Sequence, residues 1–239
     1  MYDIITKAEY WGWLDQKINK PMPGGEGGLK HIQDTFILSA LATVSGRRIL
    51  EFGGGQSRVL QQLSKNNECW NADKFEGADG GPKKLFRHRR VKTVKIFLGD
   101  FDKQLPDSYF DYVFSISVME HVPKPALDQT FADCARILKP GGALIQAIDL
   151  YLPDAADKDD PERQYNRARV PQYLRAAEKA GLTLKESAGI DDDACFLGRH
   201  ASNSDTTLYF WNKDAPKMRA MREHAQSVAL KAWWVKPSV

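Results

Sequence analysis

Apolar positions along the chain follow two alternating rhythms. Short, nearly continuous apolar runs read as strands: Arg48-Ile49-Leu50-Glu51-Phe52, Cys69-Trp70-Asn71-Ala72, Thr93 to Leu98, Tyr112-Val113-Phe114-Ser115-Ile116, and Ala143 to Ile148. Between them apolar residues recur every three or four positions, which is the spacing of one helix face. Ile32, Phe36, Ile37, Ala40 and Leu41 mark one such face, Val59, Leu60 and Leu63 a second, and Phe131, Ala132, Ala135, Ile137 and Leu138 a third. Strands alternating with amphipathic helices predict an α/β fold, a parallel sheet covered by helices on both faces. Ligands of such sheets bind at the carboxyl ends of the strands, near the point where the strand order reverses.

The two ends are less regular. Residues 1–30 hold an aromatic cluster (Tyr10, Trp11, Trp13) and the loop Lys20-Pro21-Met22-Pro23-Gly24-Gly25-Glu26-Gly27-Gly28, whose prolines and glycines suit neither a helix nor a central strand. A helix from Val170 to Ala180 is expected to stop at Gly181. Leu182 to Glu186 and Thr206 to Trp211 read as two late strands that pair antiparallel. From Ala215 the chain reads as helical, with Trp233-Trp234 docked on the body. The expected organisation is an N-terminal segment over 1–30, a main domain over 31–214 with an insertion near 150–170, and a helical tail over 215–239.

Composition narrows the class. Hydrophobic residues make up 42% of the chain, with 6 Trp, 8 Tyr and 11 Phe, enough for a substantial core and against global disorder. With 34 basic against 31 acidic residues the net charge is +3, which by itself demands no polyanionic partner. Cys69, Cys134 and Cys195 are scattered and odd in number, fitting a reduced compartment and giving no zinc spacing. Asp191-Asp192-Asp193 reads as a solvated acidic turn, so no metal is expected. The start lacks a basic stretch followed by an apolar one, and no run approaches the ~18 apolar residues of a membrane span. The expectation is a cytoplasmic protein outside the membrane; nothing indicates its oligomeric state.

The first strand ends in Glu51-Phe52-Gly53-Gly54-Gly55-Gln56-Ser57. Glycines directly after a strand allow a sharp turn and close approach of a ligand. A dinucleotide fingerprint would need a third glycine where Arg58 stands, and no P-loop Gly-Lys-Ser follows. Asp73 closes the second strand 22 residues after Glu51, and Leu98-Gly99-Asp100-Phe101 closes the third. Phe110 to Val122, with Ser115 and the Glu120-His121-Val122 turn, and Leu138-Lys139-Pro140-Gly141-Gly142 follow in order. These five landmarks, over roughly Ile49 to Ile148, resemble the class I S-adenosylmethionine-dependent methyltransferases.

The resemblance implies a Rossmann-like doubly wound sheet, mostly parallel with an antiparallel C-terminal strand. It implies S-adenosyl-L-methionine as cofactor, with Glu51, Gly53, Gly54, Gly55, Asp73, Asp100, Phe101 and Ser115 as its candidate binding residues. Asp73 would meet the ribose hydroxyls and Asp100 the neighbourhood of the adenine. Ser57 stands where the family often has a further glycine. Asp111 reads as a structural strand-entry residue.

Methyl transfer from a sulfonium is an in-line displacement, so the nucleophile must be held close and out of water. His121 and Asp149, just past the fourth and fifth strands, are the candidate bases. The acceptor is expected to be a small molecule or glycan, methylated on oxygen or nitrogen, with the Trp-bearing N-terminal segment as a candidate lid. The basic run from Lys83 to Lys95 offers an RNA or DNA methyltransferase as alternative, although no array of stacking aromatics accompanies it. A non-catalytic binding module on the same fold is the other alternative. No Asn-Pro-Pro-Tyr or Asp-Pro-Pro-Tyr follows the fourth strand, which argues against the family's adenine-amine and glutamine-amine chemistry.

Overall fold

The computed structural model describes residues 2–19, 28–77, 81–153, 169–186, 200–201 and 225–238. The central strands are β2 (Arg48–Phe52), β3 (Glu68–Asp73), β4 (Val91–Lys95), β5 (Phe110–Ile116) and β6 (Leu138–Pro153), and neighbouring members all pair parallel. The order across the sheet is β1-β8-β6-β5-β2-β3-β4, where β1 is Tyr2–Ile4 and β8 is Ala225–Val235. The chain winds outward from β2 to β4 and returns to β5 on the other side of β2. The switch point therefore lies between β2 and β5, where Glu51 is the register partner of Phe114.

Strand residues alternate between two cores. Leu50, Phe52, Val113 and Leu144 face α4 (Leu127–Ile137) and α5 (Val170–Lys179), where Phe131 and Tyr173 are buried. Ile49, Phe114 and Ile145 face α1 (Lys7–Asp15), α2 (Leu29–Leu41) and α3 (Arg58–Leu63). Asp111 behaves as the strand-entry residue expected: its carboxylate accepts from the Arg48 N–H at 2.8 Å and from Lys139 Nζ at 2.9 Å. It is partly buried, yet these donors, with Arg47 beyond them, hold it below the usual carboxylate range.

Both chain ends depart from the sequence reading. The described part of the tail is a strand: β8 pairs antiparallel with β6 from Ala143↔Val235 to Pro153↔Ala225, and residues 215–224 lie outside the described residues. Its side chains alternate with period two. Val228, Leu230, Ala232 and Trp234 enter one core, while Ala229 and Trp233 join the other. A strand buried on both faces is apolar throughout, and an apolar run without alternation cannot be told from a buried helix by period alone.

β7 (Thr183–Leu184) pairs antiparallel with β8, and the segment 206–211 expected beside it lies outside the described residues. The N-terminal segment is partly built into the body. β1 pairs antiparallel with β8, and α1 starts with a capping box between Thr6 and Glu9. Trp13 packs on Phe36 at 6.0 Å between ring centres, whereas Trp11 is 58% exposed. The Gly-Pro loop of 20–27 lies outside the described residues.

Candidate active site

β2 runs into the glycine turn at the switch point. Gly53 and Gly55 have positive φ, +63° and +48°, where a Cβ is strained. A Cβ on Gly53 would also lie 2.4 Å from Val118 Cγ2, and one on Gly54 2.7 Å from Asn71 Oδ1 and 2.8 Å from Glu51 Cδ. The turn is tied to β3: Gly53 N–H donates to the Ala72 carbonyl at 2.7 Å, and Asn71 Nδ2 donates to the Gly55 carbonyl at 2.8 Å. Asn71 Oδ1 is buried and has no hydrogen-bond partner among the described residues.

Asp73 is half-buried at the carboxyl end of β3. One oxygen accepts from the Gly55 N–H at 3.0 Å and the other from the Phe75 N–H at 2.8 Å. These bonds fix the carboxylate beside the turn and leave a lone pair on each oxygen, the acceptor pair that a ribose diol needs. Glu51 is buried under the same turn and accepts from the Ser57 hydroxyl, which itself accepts from the Leu60 N–H at 2.9 Å as the N-cap of α3. Burial pushes the Glu51 carboxyl up to about 8, only partly offset by the Ser57 bond. A buried carboxyl held near neutrality, beside an orphaned amide oxygen and a turn with no room for a Cβ, fits a ligand carrying an ammonium group.

The other cofactor candidates fall in two places. Asp100 is exposed, and Phe101 is 40% exposed with φ +54°. Their turn is anchored by Asp133 of α4, fully buried, which accepts from the N–H of Gly99 at 2.8 Å and of Phe101 at 3.2 Å and pairs with Arg136 at 2.7 Å. Asp133 was not singled out in the sequence, although an acid inside an apolar helix pattern with Arg three residues on was a usable signal. Ser115 is fully buried, and its hydroxyl has no partner among the described residues. It neighbours Phe114 in the strand and so faces the opposite side of the sheet from Glu51, which shares Phe114's side.

Beyond the glycine turn, β5 ends beside β6, and Asp149 lies within β6, paired with Ala229, rather than past its end as expected. Ser117, with φ +50°, turns the chain out of β5, and its hydroxyl reaches Asp149 at 2.5 Å. Gln33, buried on α2, donates to the same Asp149 oxygen at 2.6 Å. Asp149 thus sits half-buried with two donors fixing one of its oxygens. His121 ends a 3-10 turn, Met119–His121, with Nε2 3.9 Å from Glu120 Oε1.

Glu120 is the residue the sequence reading passed over. It is fully buried, and neither carboxyl oxygen has a hydrogen-bond partner among the described residues. Burial, followed by the charge of Asp149, drives its proton affinity well above the carboxylate range. Buried Arg169 pins this turn, donating to the carbonyls of Glu120 at 2.9 Å and Val122 at 2.5 Å. His121 thus lies 3.9 Å from Glu120, on which Asp149 acts through its charge. Asp191, Asp192 and Asp193, and the segment 154–168, lie outside the described residues. Among the described residues no His, Cys, Asp and Glu side chains group as a metal site, and no helix is long and apolar enough to cross a membrane.

A glycine turn at the switch point, with one acid beneath it and one at the end of the next strand, is the arrangement expected from the resemblance to the class I S-adenosylmethionine-dependent methyltransferases. The chain carries a methyltransferase domain: residues 50–146 match the family model of that description. A sterol 24-C-methyltransferase of Gibberella zeae is 35% identical over 231 residues, 90% of this chain and 58% of that protein. A ubiquinone biosynthesis O-methyltransferase of Saccharophagus degradans is 26% identical over 69% of this chain and 78% of its own length. In fold, the chain is similar to phosphoethanolamine N-methyltransferase 2 of Haemonchus contortus, with a TM-score of 0.57 and 18% identity over 85% of this chain and 52% of that one. The chain spans 54% to 58% of the length of the fungal sterol methyltransferases it matches.

Proposed function

We propose that the chain is a cytoplasmic enzyme that transfers the methyl group of S-adenosylmethionine to oxygen or nitrogen of a small-molecule acceptor seated against Glu120 and Asp149. The cofactor, when bound, supplies an electrophilic methyl on a positively charged sulfur. In this reading Glu51 takes the ammonium group and the glycine turn lies against the ligand backbone. Asp73 accepts from the ribose hydroxyls, and the turn held by Asp133 places Asp100 and Phe101 beside the base.

The observation that carries the acceptor side is the buried carboxyl of Glu120, without a side-chain hydrogen-bond partner among the described residues, within electrostatic reach of Asp149. A neutral acceptor that receives a methyl cation gains a positive charge and then sheds a proton. Carboxylates fixed beside it favour the first event and accept the proton of the second. Asp149, oriented by Gln33 and Ser117, holds the acceptor; Glu120, once it has ionised at a pH above its raised pKa, takes the proton, directly or through His121. The unpaired thiols of Cys69 and Cys134 agree with a reducing compartment.

Methylation of carbon is the second reading, favoured by the identity to a sterol C-methyltransferase over most of the chain. An alkene acceptor also becomes cationic on methylation, so the same two acids serve it. The test is calorimetric titration with S-adenosylhomocysteine, with NAD as control, followed by methyl transfer to phenol, amine and alkene acceptors. Saturable binding of S-adenosylhomocysteine alone and a product heavier by one methyl group support the reading. Binding of neither nucleotide would sink it.

A further inference from the structure

The connection between β3 and β4 carries a surface that methyl transfer does not use. From Gly81 to Gly99 there is no acidic residue. Lys83, Lys84, Arg87, Arg89, Arg90 and Lys95 are all exposed, and none makes an ion pair among the described residues, in contrast to Arg47, Arg48, Arg58, Arg136, Lys139 and Lys179, each within 4.0 Å of an acid. Lys92 instead lies over the Trp70 ring at 3.5 Å.

In the middle of these cations stands Leu85, 44% exposed, one of three large apolar side chains left in solvent among the described residues. It is turned outward by its neighbour. Phe86 is buried in the core with Val59 and Cys69, and its carbonyl accepts from the Thr93 hydroxyl at 2.9 Å.

The strap is also fastened to the cofactor cradle. Gln56 Nε2 donates to the Lys84 carbonyl at 3.1 Å, and a Cβ on Gly55 would lie 3.1 Å from Pro82 Cγ. Its main chain is thus committed inward and its charges outward. A charged edge strand protects a sheet from pairing with another chain, and Lys92 and Lys95 on β4 do that. That role does not account for the five further cations on the connecting strap, nor for an exposed leucine among them.

We propose that residues 83–95 are a docking surface for the anionic headgroups of a lipid bilayer, with Leu85 entering the headgroup boundary and the glycine turn facing the membrane. Clustered Lys and Arg around an outward aliphatic residue combine the two forces of interfacial binding, attraction to anionic lipid and burial of apolar area. A platform for single-stranded nucleic acid would present aromatic rings outward. Here Phe86 is buried and His88 stacks on it, with planes 6° apart and centres 6.1 Å apart.

The experiment is cosedimentation of the full chain with vesicles of phosphatidylcholine alone and of phosphatidylcholine mixed with phosphatidylglycerol, at low and high salt. The chain is expected to bind only the mixed vesicles, and more weakly as salt rises. Each neutralised cation should cost roughly fivefold, so K84Q/R87Q/R89Q should bind about a hundredfold more weakly. L85S should lose severalfold while keeping the same salt dependence. Both variants should bind S-adenosylhomocysteine as the parent does, which separates lost docking from lost folding and from failure of the methyltransferase reading. Equal binding to both vesicle types, no binding to the mixed vesicles, an unchanged triple variant, or tighter binding to single-stranded RNA at the same salt would each overturn the proposal.

Discussion

The backbone N–H of Gly99 donates to the buried carboxylate of Asp133 at 2.8 Å, across two elements distant in sequence. The same oxygen accepts from Phe101, and the other oxygen holds Arg136. One carboxylate therefore sets the turn that carries Asp100 and neutralises a half-buried guanidinium. Asp133→Ala strands two N–H groups and removes one of the two acids that hold Arg136, Asp107 remaining, a loss of roughly 2 kcal/mol or more. Urea denaturation should show that loss, with affinity for S-adenosylhomocysteine falling as the turn loosens. Asp133→Asn keeps an acceptor oxygen and should lose less. A loss below about 1 kcal/mol for the alanine variant would mean that the turn stands without Asp133.

Gly53 is restricted twice, by its φ of +63° and by Val118 Cγ2, 2.4 Å from where a Cβ would be. Gly53→Ala should destabilise the fold by about 2 kcal/mol and abolish cofactor binding, because the turn must shift. Removing the steric part by adding Val118→Ala should recover part of the stability but not the conformational part. A double variant no more stable than Gly53→Ala would show that the close approach to Val118 is unimportant.

Glu51 links pH to stability and to ligand binding. Its folded value, raised to about 8 from an ordinary 4.5, means that between those values the native state holds a proton that the unfolded state has lost. Its contribution is therefore fully present at acid pH and declines as pH rises toward 8. Glu51→Gln, which keeps an acceptor for Ser57, should flatten that decline and gain relative stability at the alkaline end. An ammonium group placed beside Glu51 favours the carboxylate, so binding of S-adenosylhomocysteine should release a proton and tighten as pH rises through that window. Calorimetry in buffers of different ionisation enthalpy measures the release. Binding with no proton released would separate Glu51 from the ammonium.

The centre of the sheet was legible because its information is local: apolar runs give the strands, and Glu51, Gly53, Gly55 and Asp73 follow β2 and β3 in fixed order. The edge at β1 and β8 was not. A three-residue strand such as Tyr2–Ile4 shows no period, and β8, covered on both sides, is apolar from Val228 to Val235 except for Lys231, which pairs with Glu9, so no alternation marks it. The acceptor side was half legible. Asp149 and His121 stood out by position and residue type, whereas Gln33 and Ser117, 84 residues apart, meet only in the folded chain. Glu120 was hidden for a different reason. Its importance lies in its burial beside Asp149, and neither the burial nor that neighbour can be read from an isolated Glu in a turn.

Glu120, Asp149 and His121 make separable predictions about the chemical step. If Glu120 receives the acceptor's proton it must ionise, and Glu120→Gln, which cannot, should lower kcat by about 10²–10⁴ while leaving affinity for S-adenosylhomocysteine unchanged. Asp149 raises the proton affinity of Glu120 by its negative charge. Asp149→Asn removes that charge, so the rising limb of kcat against pH should move to lower pH, in addition to any loss of acceptor affinity seen in KM. A role for Asp149 confined to holding the acceptor would change KM and leave the limb in place. His121, 3.9 Å from Glu120, either relays the proton or lines the turn. His121→Gln should cut kcat as deeply as Glu120→Gln if it relays, and by less than tenfold if it only packs. Full activity in Glu120→Gln at every pH would remove the buried acid from the reaction and return the search for the base to His121 and Asp149.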